Sequence, residues 1–180
     1  MPKTYTINIA GLTRDLPICP VNEKLDIAAF VIFGDVEITV HAAQKLLEKA
    51  PDFDFIVTPE AKSIPLAYEM ARQSGNPYFV ARKKAKLYMH EPVSVHVRSI
   101  TTDALQTLFL DSPEGEQLRG KRVLIVDDVI STGESLAAVV ELCSRFDADI
   151  VGQAAILAEG DAAGREDILY LAELPLFFKS

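Results

Sequence analysis

The run VLIVDDVISTGES, Val123 to Ser135, constrains this chain more than any other stretch. Four apolar residues, Val123 to Val126, read as a strand buried on both faces of a sheet. Two adjacent carboxylates, Asp127 and Asp128, follow, then a hydroxyl-rich turn of Ser131, Thr132 and Gly133, and from Gly133 a helical pattern runs through Arg145. In an open α/β sheet the carboxyl end of a central parallel strand delivers its residues to the ligand crevice, so both acids are expected there. At the helix start, unpaired N–H groups and the helix dipole together favour a phosphate, and Gly133 permits close backbone approach. Glu134, in the first turn, complements the dipole, and Ser135 adds a further hydroxyl. Paired acids can merely open a loop, and Ser-Thr-Gly can merely cap a helix. It is their adjacency that asks for a sugar diol joined to a phosphate, a ribose 5-phosphate group.

The flanking sequence fits an α/β chain. Tyr5 to Ile9 alternates like an edge strand, and Leu25 to Phe33 is an apolar run broken only by Asp26. The spacing of Val40, Ala43, Leu46 and Leu47 predicts a helix over Val40 to Lys49, ended by Pro51. Strands are expected at Phe53 to Thr58, Tyr78 to Arg82, Leu105 to Leu110 and Ile150 to Leu157, with a helix over Ile64 to Arg72 and a polar turn over Asp111 to Gly120. Strands alternating with helices imply a mainly parallel twisted sheet flanked by helices, with right-handed crossovers. Residues 83–102 show no sustained helical period and read as a long loop or a β-ribbon, a length that suits a lid. One domain over 1–180 is expected, with about 1–24 and 160–180 as hood or edge elements.

Lys plus Arg number 18 against 26 Asp plus Glu, a net charge of −8, which argues against duplex nucleic acid as a partner. An anionic ligand must then be held locally, and Arg82, Lys83, Lys84 and Lys86 form one basic cluster, which alone could equally be a solvated turn. Cys19 and Cys143 stand far apart without metal-ligand spacing and read as free thiols of a cytoplasmic protein. No apolar run approaches the roughly 18 to 20 residues of a bilayer span, and the first ten residues lack the pattern of a secretion signal. His41, His90 and His96 lack the spacing of a metal site. No P-loop, G-x-G-x-x-G, G-x-S-x-G or H-E-x-x-H motif is present.

Val123 to Ser135 resembles the phosphoribosyl diphosphate (PRPP) binding motif of type I phosphoribosyltransferases. The stretch Val57 to Ile64, with Glu60, Ala61, Lys62 and Ser63 at its centre, is similar to the pyrophosphate loop of the adenine and xanthine branch. Arg82 to Leu87 resembles the basic segment of the adenine enzymes, and Glu159 with Gly164-Arg165-Glu166 their C-terminal region. The resemblance implies that Asp127 and Asp128 hold the ribose hydroxyls, that Ser131, Thr132, Gly133, Glu134 and Ser135 cradle the 5-phosphate, and that Glu60, Ala61, Lys62, Ser63 and Lys86 face the pyrophosphate. Asp127 and Lys62 would be the catalytic pair, Mg²⁺ would travel mainly on PRPP, and the Glu60–Ala61 peptide would be cis. Phe30 or Phe33 could stack on a purine.

Two departures stand out. The adenine enzymes commonly carry a Glu in a Ser-Tyr-x-x-Glu-Tyr-Gly run of the long loop, where residues 94–101 here hold none. Lys62-Ser63 also replaces the usual Arg-Gly, keeping a charge and losing the planar fork. The expected activity is a purine phosphoribosyltransferase, adenine first, working as a homodimer without nucleic acid or membrane partners. The alternative is a catalytically silent PRPP-binding sensor.

Overall fold

A computed structural model describes residues 3–98 and 105–179. Five strands form its main sheet, all parallel: β4 (Phe55–Pro59), β5 (Tyr78–Ala81), β8 (Arg122–Ile130), β9 (Asp149–Glu159) and β10 (Ala172–Leu174), in the order β10-β9-β8-β4-β5. The strand expected at Val123 to Val126 runs four residues further, to Ile130, so the two acids lie within it. Side chains alternate along β8. Leu124 and Val126 enter one core with α1 (Val36–Leu47) and α2 (Ile64–Ser74), while Val123 and Ile125 enter the other with α4 (Glu134–Ser144). Beyond Val126 the alternation breaks, since Val129 packs with the first core and Ile130 with the second, and the two acids fall in that break.

Two further elements differ from the sequence reading, and a third decides between its alternatives. Helix α1 starts at Val36, four residues before the apolar stripe suggests, because Asp35 caps it, accepting the Ile38 N–H at 3.1 Å. Asp35 also receives Arg14 Nε and Nη2 at 2.6 and 3.0 Å, a fork that pulls the Asp35 carboxyl below its ordinary pKa. The expected polar turn at 111–120 contains a short helix, α3 (Ser112–Gln117). Pro113 suits a helix start, and Gly115 is bare where the Phe146 ring packs, so residues that read as turn formers serve a buried contact. The long stretch after β5 is a ribbon in its second half: β6 (Val93–Arg98) pairs antiparallel with β7 (Leu105–Leu110), Val93 opposite Leu110. Of the expected lid over 84–102, residues 99–102 lie outside the described residues.

A second, antiparallel sheet gathers β1 (Thr4–Ile9), β2 (Leu12–Pro20), β3 (Leu25–Ala28) and β11 (Leu176–Phe178) in that order. Chain connectivity sets it at the carboxyl edge of the main sheet, because β3 leads to the start of α1 and β11 follows the end of β10. The 3₁₀ turn after β9 (Gly160–Gly164) meets it directly: a Cβ on Gly160 would lie 2.8 Å from Leu176 Cδ1. Cys19 is half-buried on β2, whereas burial pushes the Cys143 thiol up to about 12. No helix among the described residues is long and apolar enough to cross a membrane.

Removing the Asp35 carboxylate takes away a helix cap and the acceptor of the Arg14 fork together. Asp35→Ala is therefore expected to lower stability by about 1–2 kcal/mol, read as a lower urea midpoint with an unchanged slope.

Candidate active site

The site begins where two strands part. β4 and β8 are registered from Phe55 opposite Val123 to Val57 opposite Ile125, and no further. There the Thr58 hydroxyl donates to the Val126 carbonyl at 2.7 Å and lies 2.8 Å from Ser63 Oγ, which donates to the Pro59 carbonyl. Thr58 and Ser63 are both buried, so this small network fixes the loop after β4 against β8. β8 meanwhile stays paired to β9 as far as Ile130 opposite Ala158. The opening is thus one-sided, and Asp127 and Asp128 stand at its lip.

Both acids line a cavity of about 310 Å³ together with Glu60, Ala61, Lys62, Ser63, Lys83 and Ser135. A smaller space of about 60 Å³ adjoins it, sharing Asp127, Val129 and Ser135 and bounded by Ile130, Ser131, Thr132, Gly133, Glu134 and Leu136. The predicted acids, pyrophosphate loop and phosphate turn therefore converge. The Glu60–Ala61 peptide is cis. Helix α4 begins at Glu134, with Gly133 at φ 80° as a cap residue that has no side chain to offer and a long 3.5 Å bond from the Glu134 N–H to the Thr132 hydroxyl. Its N–H groups face a space of phosphate size.

Asp127 is 8% and Asp128 5% exposed. Burial, and secondarily the charge of Asp128, drives the Asp127 pKa well above the usual carboxylate range. Asp127 Oδ1 accepts the Asp128 N–H at 2.8 Å, whereas Asp128 Oδ2 is buried without a hydrogen bond, its nearest cation being Lys62 Nζ at 3.5 Å. An orphaned buried acceptor at the rim of a cavity calls for a donor from outside, such as a hydroxyl. Glu60 turns from the cavity to the basic segment: it accepts the Lys83 N–H at 2.9 Å and faces Arg82 Nε at 3.4 Å, and its pKa is lowered chiefly by that N–H.

Other predicted residues are placed differently. Lys83, rather than Lys86, lines the cavity. The Ser63 hydroxyl is committed to the Pro59 carbonyl, so Ser63 shapes the loop. Phe30 is 6% exposed in the core, where its ring has no free face, while Phe33 is 55% exposed just before Asp35. His41 and His96 have local partners, the Glu37 carbonyl and the Thr107 hydroxyl. Sequence reasoning gives neither Thr58 nor Glu159 a place at the site. Glu159 ends β9 half-buried near Lys62, with its pKa raised by desolvation.

An anion-accepting turn beside paired acids, at the carboxyl edge of a parallel sheet, defines an α/β protein built to handle a sugar phosphate. Residues 36–172 match the phosphoribosyl transferase domain, and the chain belongs to that family. It is 35% identical over 114 residues to the hypoxanthine/guanine phosphoribosyltransferase of Methanococcus voltae, covering 63% of this chain and 57% of that protein's length. It is 30% identical over 169 residues to the adenine phosphoribosyltransferase of Mycobacteroides abscessus, covering 93% of this chain and 91% of that one. The solved adenine phosphoribosyltransferase of Thermoanaerobacter pseudethanolicus shares the fold with a TM-score of 0.68 at 22% identity, over 79% of this chain and 84% of its own. That of Giardia lamblia complexed with 9-deazaadenine does so with a TM-score of 0.66 at 16% identity, over 94% and 93%.

A carboxyl whose folded pKa exceeds its unfolded value costs the fold stability once it ionises. The cost is absent below the unfolded pKa, grows as pH rises toward the folded pKa, and is complete above it. Asp127→Asn keeps the acceptor for the Asp128 N–H and removes that cost. It is expected to raise the melting temperature at neutral pH, with the gain vanishing below about pH 4.

Proposed function

We propose that this protein is a purine phosphoribosyltransferase that transfers the 5-phosphoribosyl group of PRPP to a purine ring nitrogen and releases pyrophosphate, with adenine as the preferred base. The observation that carries the reading is the junction of the two cavities at Asp127. It joins the small space at the turn of 131–135 to a cavity lined by both acids and Lys62, with Asp128 Oδ2 unsatisfied 3.5 Å from the Lys62 ammonium. Support for adenine comes from three adenine relatives aligned over 93% of the chain, while a hypoxanthine/guanine relative aligned over 91% makes hypoxanthine and guanine the competing bases.

In this reading the turn at 131–135 receives the 5-phosphate on its N–H groups, and Asp128 Oδ2 and Asp127 accept the ribose hydroxyls. As those hydroxyls satisfy Asp128, Lys62 is released to the pyrophosphate, where Lys83 joins it. Breaking the C–O bond concentrates charge on the leaving group and leaves an oxocarbenium-like carbon, so donors fixed at the leaving oxygens lower the barrier. Mg²⁺ would arrive on the pyrophosphate and neutralise part of its charge, and the hard, unsatisfied Asp128 oxygen is a donor that suits such an ion at the ribose end. The nucleophile is a ring nitrogen, so positioning matters more than a general base, and a loop without Glu does not preclude turnover. Phe33, exposed at the start of α1, is the ring available to a base.

Mixing the protein with PRPP, Mg²⁺ and each of adenine, hypoxanthine and guanine, and following pyrophosphate release, tests the proposal. Release with adenine above the others is expected. PRPP binding without release under any base would make it a sensor. Asp128→Asn is expected to weaken PRPP binding about tenfold or more, the scale of a charged hydrogen bond lost in a buried site, measured by calorimetry.

A further inference from the structure

Residues 131–144, the phosphate turn and α4, contain no lysine or arginine, and Glu134 and Glu141 add negative charge. In a chain of net charge −8, a dianion at this turn needs a cation from elsewhere. Arg165 brings one from beyond the end of β9. It is not a loose surface side chain. The preceding 3₁₀ turn is held by buried Ala162, by the Tyr170 hydroxyl donating to the Ala163 carbonyl at 2.6 Å, and by the Arg165 N–H donating to the Ala162 carbonyl at 3.1 Å. The guanidinium is aimed in turn by Asp167, which accepts Nε at 2.9 Å and Nη2 at 2.6 Å.

The remaining nitrogen, Nη1, faces Gly133. A Cβ on Gly133 would lie 2.5 Å from it, so the guanidinium fills the space that any side chain at 133 would need. Gly133 is also held at φ 80°, a conformation L side chains rarely adopt. Arg165 does not line the 60 Å³ space, and so stands against the turn from its outer side.

Building on the reading of 131–135 as the 5-phosphate site, we propose that Arg165 is a positioning residue of the phosphate turn. Aimed by Asp167, it braces Gly133 and supplies the positive charge the turn lacks, and it acts on the 5-phosphate end of the ligand alone. A fixed planar guanidinium suits the role better than a mobile ammonium.

Calorimetric titration of ribose 5-phosphate and of inorganic pyrophosphate into wild type, R165Q, R165K and D167N tests this. R165Q should weaken ribose 5-phosphate about tenfold, the scale of one charge-assisted interaction, while pyrophosphate affinity stays within about twofold. R165K should recover part of the loss, D167N should show a smaller loss than R165Q, and the salt dependence of ribose 5-phosphate binding should flatten in R165Q. Should R165Q fail to fold, the same comparison of the two probes in D167N decides the matter. Unchanged ribose 5-phosphate affinity in R165Q, or an equal loss of both probes, would overturn the role of Arg165 and leave the phosphate turn standing. A wild-type protein that binds pyrophosphate and not ribose 5-phosphate would overturn both.

Discussion

The hydrogen bond from Thr58 to the Val126 carbonyl is where the sheet stops being a scaffold and becomes a site. Below it, β4 and β8 are ordinary parallel neighbours with apolar residues on both faces. Above it, β4 turns away into the loop of 60–63 while β8 continues beside β9, and the gap becomes a cavity lined by the next two residues of β8. Those residues are acids that would be intolerable one register earlier, where both faces are closed by core. Moving the parting point by a single residue would either bury Asp127 without relief or expose Val126. The two acids then part, Asp127 lining the small space at the turn of 131–135 as well as the larger cavity and Asp128 facing Lys62, so two adjacent positions serve two ends of one opening.

Much of this arrangement is legible in the chain because it is local. The strand, acids, turn and helix of 123–145 are contiguous, and each is signalled by residue type. The bounds of β7 are also readable. What escapes is what depends on distant partners. Asp35 as a helix cap is evident only once Arg14 is beside it, and the apolar stripe of α1 begins later than its backbone. Strand β2 carries Asp15 and two prolines, so its membership in a sheet follows from pairing with β1 through the Ala10-Gly11 turn, both residues at positive φ. An alanine there hides a hairpin that Asn-Gly would have announced. The sequence reading prefers Phe30 to Phe33 as the stacking ring, and packing reverses the two, burying Phe30 in the core and leaving Phe33 exposed.

The charge balance follows the same logic. A protein carrying −8 overall can hold a polyanion only if its few cations are pinned where they are needed, and three cations near the site are paired: Lys62 with Asp128, Arg82 with Glu60, Arg165 with Asp167. Such pairs keep the cations in place at little net stability, since exposed ion pairs contribute only modestly. They also leave part of each charge available once an anion competes for it.

The two thiols differ in a way that has a practical use. Burial holds the Cys143 thiol at about 12, so it stays protonated on the buried side of α4, while Cys19 sits half-buried on the antiparallel sheet at the carboxyl edge. The unaltered chain thus carries a chemically distinct handle on its second sheet. A thiol-directed dye would report from that sheet without any engineered cysteine or removal of a native one.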